Sequence, residues 1–355
     1  MEMKMRGRFG VVSVTVSLLL CGCSMHAAGP APAISYPAAA VPASSETVAV
    51  ATKLADAADD PAIWTGPDGV SFAGKRQDGI LLGTDKKAGL YVFGLGGESL
   101  QFLSDGLLNN VDLRGEGAGF VAGASDRGRM GVALYRFAGQ GEVRPAGFIK
   151  SDVAEPYGFC MGRIDGKLLA VLIAKDGQVR EYLLDASGAE IKGTERRRFA
   201  VGSQSEGCTV DDAKGVLYIG EEMKGVWRYD LNADPAARTL VAGLGEGRLV
   251  ADVEGTTLIR DGGETFLIVS SQGDSAFAVW NVSGAAGAER YVGRFRVTAA
   301  GGVDGVSGTD GVDAWSGAIG PFAKGLVAMQ DDVNEGGAQN FKLVDWAKVR
   351  ATLER

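Results

Sequence analysis

Six stretches of this chain share one order of apolar and polar positions. An apolar run leads into a polar or charged turn, and a second run rich in aromatic and β-branched residues follows. They read LLGTDKKAGLYVF from Leu81, FVAGASDRGRMGVALYRF from Phe120, LLAVLIAKDGQVREYLL from Leu168, VLYIGEEMKGVWRYDL from Val216, FLIVSSQGDSAFAVWNV from Phe266 and LVAMQDDVNEGGAQNFKLVDW from Leu326. Their starts lie 39, 48, 48, 50 and 60 residues apart. Short apolar runs flanking a polar turn predict β-hairpins.

A shorter element opened by polar or acidic residues precedes each hairpin. These are DDPAIW at Asp59, LNNVDLR at Leu108, EPYGFCMG at Glu155, SEGCTV at Ser205, DVEGTTLI at Asp252 and TDGVDAW at Thr309. A three-strand unit therefore recurs six times, and one further outer strand per unit makes it a blade. The pattern predicts an all-β, six-bladed β-propeller. A β-sandwich needs no repeat of this length, and the coil of a parallel β-helix is much shorter. Helical periodicity is confined to residues 346–353.

The amino terminus follows another pattern. Lys4, Arg6 and Arg8 precede an apolar stretch over 9–20 that is too short for a membrane-spanning helix. Residues 1–22 read as a signal peptide. Leu20-Cys21-Gly22-Cys23 resembles the bacterial lipobox, which implies cleavage before Cys23 and a lipid on its sulfur. The Pro/Ala/Ser-rich residues 23–46 read as a flexible tether, leaving 47–355 as the propeller. The expectation is an exported, membrane-anchored lipoprotein that meets the membrane only through its lipid and is otherwise a monomer. Export permits a disulfide between Cys160 and Cys208; two free thiols are equally compatible with the sequence.

Composition then narrows the chemistry. The 54 glycines and 10 prolines follow no collagen-like period, so the glycines belong to turns. The single histidine, His26, lies in the tether. Histidine-dependent triads, zinc sites and phosphohistidine chemistry are thereby excluded from the folded domain. The net charge of −8 argues against nonspecific nucleic-acid binding. In a propeller the openings of the inner strands converge at one mouth. Asp59, Asp60, Asn110, Glu155, Glu206, Asp252, Glu254 and Asp310 would meet there, with further acids in the hairpin turns. Carboxylates that dense raise one another's pKa, and oxygen-liganded divalent cations, calcium above all, relieve the repulsion. Lys86, Lys87, Arg127 and Lys175 in the same turns suit phosphate oxygens.

At these residues the chain resembles the β-propeller (alkaline) phytases, over roughly residues 47–350. DDPAIW, LNNVDLR, YGF, SQSEGCTVDD, LYIGEE, GVWRY, DVEGTTL, TDGVD and QNFKLVDW carry the likeness in the same order. The resemblance implies calcium-dependent release of phosphate from myo-inositol hexakisphosphate (phytate), several bound calcium ions and calcium-phytate as substrate. It places Glu206, Glu222, Glu254 and Asp310 at the catalytic metals, with Asp60 and Asp252 as further ligands. It places Asp304, Asp331 and Asn334 at structural calcium. Lys86, Arg127, Tyr157 and Lys175 match positions that contact substrate phosphates. Asp85 and Asp126 stand where the family commonly has asparagine, which predicts two extra negative charges at the site. The rival readings are a metal-dependent propeller lactonase or esterase, and a lipoprotein that binds inositol phosphates or a protein partner without turnover.

Overall fold

The computed structural model describes residues 34–53, 56–334 and 336–354. The signal segment 1–22 and Cys23 lie outside them. The described chain is almost entirely β, in six sheets of four or five strands and one small three-stranded sheet. Each large sheet is built on an antiparallel meander of three or four strands in chain order. The first holds Ala58–Trp64, Ile80–Asp85, Gly89–Gly94 and Ser99–Leu103, and the second Leu108–Glu116, Gly119–Asp126, Gly131–Phe137 and Arg144–Lys150. The third, fourth, fifth and sixth begin at Pro156–Ile164, Ser205–Asp211, Val253–Asp261 and Val312–Ser316. The six hairpins read from sequence form the second and third strands of these sheets.

Both faces of each sheet are buried, which is why the hairpin strands read as nearly continuous apolar runs. Leu82, Val92, Phe120 and Tyr135 pack the first sheet on the second. Leu81 and Phe93, on the opposite face of the first sheet, pack on Leu326 and Phe341 of the sixth. Equivalent clusters fill each intervening gap.

Polar ties join the first strands of neighbouring sheets. The Val111 N–H donates to Asp60 Oδ2 (3.1 Å), the Met161 N–H to Asp112 Oδ2 (2.7 Å), and the Ile63 N–H to Asp313 Oδ2 (2.8 Å). The last of these links the sixth sheet to the first. Cys160 and Cys208 form a disulfide between the first strands of the third and fourth sheets, which resolves the alternative left open by the sequence.

The tether expectation fails over part of its length. Ala39–Pro42 pairs in parallel with Arg290–Thr298 as a fifth strand of the fifth sheet. Ser45–Glu46 completes the sixth, with Glu46 opposite Lys342. Their Pro/Ala/Ser composition carries no strand signal; the open edges of the neighbouring strands supply the hydrogen bonds. The expected helix is present but shorter, Trp346–Arg350, with the Asp345 carboxylate accepting from the Ala347 N–H (2.9 Å).

Candidate active site

Six positions open the inner strands at a nearly constant interval: Asp59, Asn109, Tyr157, Glu206, Glu254 and Asp310, spaced 50, 48, 49, 48 and 56 residues apart. Glycine follows the last four as Gly158, Gly207, Gly255 and Gly311. These glycines let backbones approach closely. A Cβ on Gly158 would lie 2.0 Å from the Glu206 carbonyl oxygen, and one on Gly207 would lie 2.2 Å from that of Glu254. The strands thus meet where their functional side chains begin.

Glu206 and Glu254 are joined by Glu222, which the hairpin turn of the fourth sheet carries inward. Each of the three buried carboxylates offers an oxygen within 4.8 Å of the other two. Asn109 Nδ2 donates to Glu206 Oε1. Glu222 Oε1 and Glu254 Oε2 are buried without a hydrogen-bond partner, as are both oxygens of Asp59. Burial, then the charge of Glu206, pushes the Glu222 carboxyl up to about 7. The same two causes, with Glu222 added, hold Glu254 well above the carboxylate range. Asp252, half-buried, is raised by burial and Glu206. Burial raises Asp310 to about 6 although Lys86 opposes it.

Lys86 is the buried cation of this group. Its Nζ lies 2.5 Å from Asp56 Oδ1, 2.7 Å from Asp310 Oδ2 and 3.4 Å from Asp59 Oδ1. Burial acts to lower its pKa, but Asp59 and Asp310 outweigh it and raise the ammonium well above its usual range. The Arg127 guanidinium and the Lys175 ammonium each lie 5.3 Å from the centre of the Tyr157 ring. Burial, then Glu206 and Glu254, drives the Tyr157 phenol far up, so it stays protonated.

The donor set fits a hard divalent cation. It is all oxygen, strongly anionic, buried, and keeps carboxylate oxygens that nothing else satisfies.

Most residues singled out from sequence gather here: Glu206, Glu222, Glu254, Asp252, Asp310, Lys86, Arg127, Tyr157 and Lys175. Asp60 does not. A bulge between Ala58 and Pro61 turns Asp59 toward Lys86 and Glu206. Asp60 instead lines a channel cavity of about 280 Å³ with Asp112 and Asp313. Asp59 was placed at the mouth from sequence but given no role, and Asn109 was passed over for Asn110, yet the interval of about 49 residues reaches both. Gln272, whose Nε2 donates to Asp310 Oδ1 (2.5 Å), has no sequence signal.

Asp304, Asp331 and Asn334 also converge, but around an ammonium. Fully buried Lys342 Nζ pairs with Asp304, with Asp331 Oδ2 (3.1 Å) and with Glu46 Oε2 (2.6 Å), and donates to Asn334 Oδ1 (2.9 Å). The position expected to hold structural calcium carries this cation of the chain itself. Asp85 and Asp126 are likewise engaged within their turns. Asp85 accepts the Lys87 N–H (3.0 Å), and Asp126 accepts the Arg129 N–H (2.8 Å) and pairs with its guanidinium. Arg129 thus offsets the charge of Asp126, whereas Asp85 Oδ2 stays buried without a hydrogen-bond partner.

The sequence model of the phytase family matches residues 10–355. A 3-phytase of Bacillus subtilis (strain 168) is 34% identical over 321 residues, spanning 84% of this chain and 81% of that protein. Among solved structures, a GH43_1 enzyme from Xanthomonas citri is similar with a TM-score of 0.44 and 14% identity, over 66% of this chain and 86% of that one.

Proposed function

Because this chain belongs to the phytase family and is thus a phosphatase of the 3-phytase kind, we propose that it is a calcium-dependent, six-bladed propeller enzyme that releases phosphate from phytate. The observation that carries the metal reading is the trio Glu206, Glu222 and Glu254, buried together with unpartnered carboxylate oxygens. Glu206, Glu222 and Glu254 would hold calcium, with Asp59, Asp252 and Asp310 beside them. When bound, calcium neutralises charge on the phosphoryl oxygens and lowers the pKa of water.

The chain's own residues do the rest. Lys86, Arg127 and Lys175 gather cationic charge on the side of the mouth formed by the first three sheets. They orient the phosphate ester and offset its negative charge. Tyr157, protonated and between two cations, presents a hydroxyl donor at the boundary with the glutamates. No histidine or cysteine nucleophile stands among these residues, so the reading is direct attack of water on phosphorus rather than a phosphoenzyme.

Phosphate release from phytate with and without EGTA tests the proposal. The chelator should abolish release and added calcium restore it; full activity in EGTA would end the calcium reading. Glu206→Gln should lower turnover by about 100-fold or more. Asp176→Asn should change it less than about threefold, because Asp176 is exposed in a turn and accepts from the nearby Gln178 N–H (3.1 Å). Equal effects of the two variants would sink the assignment.

Export and lipid attachment at Cys23 are proposed on sequence grounds alone. Cys23→Ser should abolish incorporation of labelled fatty acid; labelling that persists would remove Cys23 as the anchor.

A further inference from the structure

Apart from Asp59, which the first sheet sets against Lys86, the mouth is divided by charge. Lys86, Arg127, Tyr157 and Lys175 come from the first three sheets, whereas Glu206, Glu222, Glu254 and Asp310 belong to the fourth, fifth and sixth units. A substrate phosphate that meets both groups spans the two halves, so the separation of the halves is a functional distance. Two seams set it. At the seam between the sixth and first sheets, the Gly311 N–H donates to the Asp59 carbonyl (3.2 Å), the Ile63 N–H donates to Asp313, and Lys86 pairs with Asp310.

At the other seam the tie is covalent. Cys160 lies three residues beyond Tyr157, and Cys208 two beyond Glu206. Their disulfide joins the strand that carries Tyr157, on the phosphate side, to the strand that carries Glu206, the first metal-side residue. It is buried, with Cys160 at 0% and Cys208 at 7% exposure, among Val171, Leu217 and Ile219. On the site side of the bond the backbones already lie as close as Gly158 allows. Away from the site the Arg163 N–H donates to Asp212 Oδ1 (3.0 Å).

Glu206 lies at the centre of the donor set by geometry: its carboxylate approaches Glu222 and Glu254 within 4.8 Å and accepts from Asn109 Nδ2 of the second sheet. A change in its distance from Tyr157 therefore alters the donor set and the phosphate side at once. We propose that the Cys160–Cys208 disulfide is a positioning element of this site, fixing the spacing between the phosphate-binding half and the metal-binding half. The proposal rests on the calcium reading above. It predicts that breaking the link weakens calcium binding and raises KM while leaving the chemistry at saturation nearly intact.

The test compares the wild type, the Cys160→Ala/Cys208→Ala variant, and wild type reduced after folding with a phosphine, its free thiols counted. Calcium binding is measured by calorimetry, and phytate kinetics well below the melting temperature. The expected result is a weakening of calcium binding by about tenfold, a parallel rise in KM, and a kcat at saturating calcium within about threefold. A lower melting temperature with unchanged calcium affinity and KM would overturn the proposal, because the disulfide would then serve stability alone. Unfolding of both the variant and the reduced protein would overturn it equally. A wild type that takes up no calcium would instead defeat the metal reading itself.

Discussion

The glycines after the site residues carry as much of the site as the acids. Gly207 shows this between two metal-side strands, since any side chain there meets the Glu254 carbonyl oxygen at 2.2 Å. Gly207→Ala should cost about 1–3 kcal/mol of stability and weaken calcium binding, read by urea unfolding and calorimetry. Gly245→Ala, where a Cβ meets nothing within 4 Å, is the control and should be close to neutral. Beneath the mouth, burial and then Asp112 raise Asp313 to about 7. The folded protein thus keeps a proton that the unfolded chain sheds near the ordinary aspartate value of about 4. Stability from this group is present at acid pH and is lost as pH rises toward and through 7. In chelator, Asp313→Asn should lose less stability than the wild type between pH 5 and pH 8, by about 1 kcal/mol or more; parallel pH profiles would remove Asp313 as the source. Asp59 shows where residue-level reading stops. The DD pair announces an acid at the mouth, but which of the two faces it depends on a bulge that sequence alternation does not reveal.

At the scale of elements, the hairpins were legible because each strand is buried on both faces and its apolar run stands out from the turn. The two amino-terminal strands were not, because Ala39–Pro42 and Ser45–Glu46 owe their form to open edges elsewhere in the chain. Removing residues 1–46 should therefore destabilise the fold, seen as a lower melting temperature; an unchanged melting curve would restore the tether reading. Lys342 joins the same region to the sixth sheet through Glu46, Asp304 and Asp331. Lys342→Met should cost about 3 kcal/mol in chelator, because it leaves the buried Asp331 carboxylate without a counter-charge. The family resemblance offered Asp304, Asp331 and Asn334 to a structural calcium; that Lys342 is buried among them is not legible in the sequence.

On the scale of the molecule, six sheets bring one position from each repeat to a common mouth, and the repeat interval can be read directly from the chain. What the interval does not contain is the division of labour around the mouth, cations from the first three sheets and, Asp59 of the first sheet apart, carboxylates from the rest. That division and the buried, unpartnered oxygens lead to the central claim: Glu206, Glu222 and Glu254 are kept close to receive a divalent cation. Calcium titration by calorimetry, comparing wild type with Glu254→Gln at pH 8, tests it most directly. The account predicts uptake by the wild type and loss of at least one binding event, or a weakening of about 100-fold or more, in the variant. Superimposable isotherms, or no heat of binding in the wild type, would contradict it.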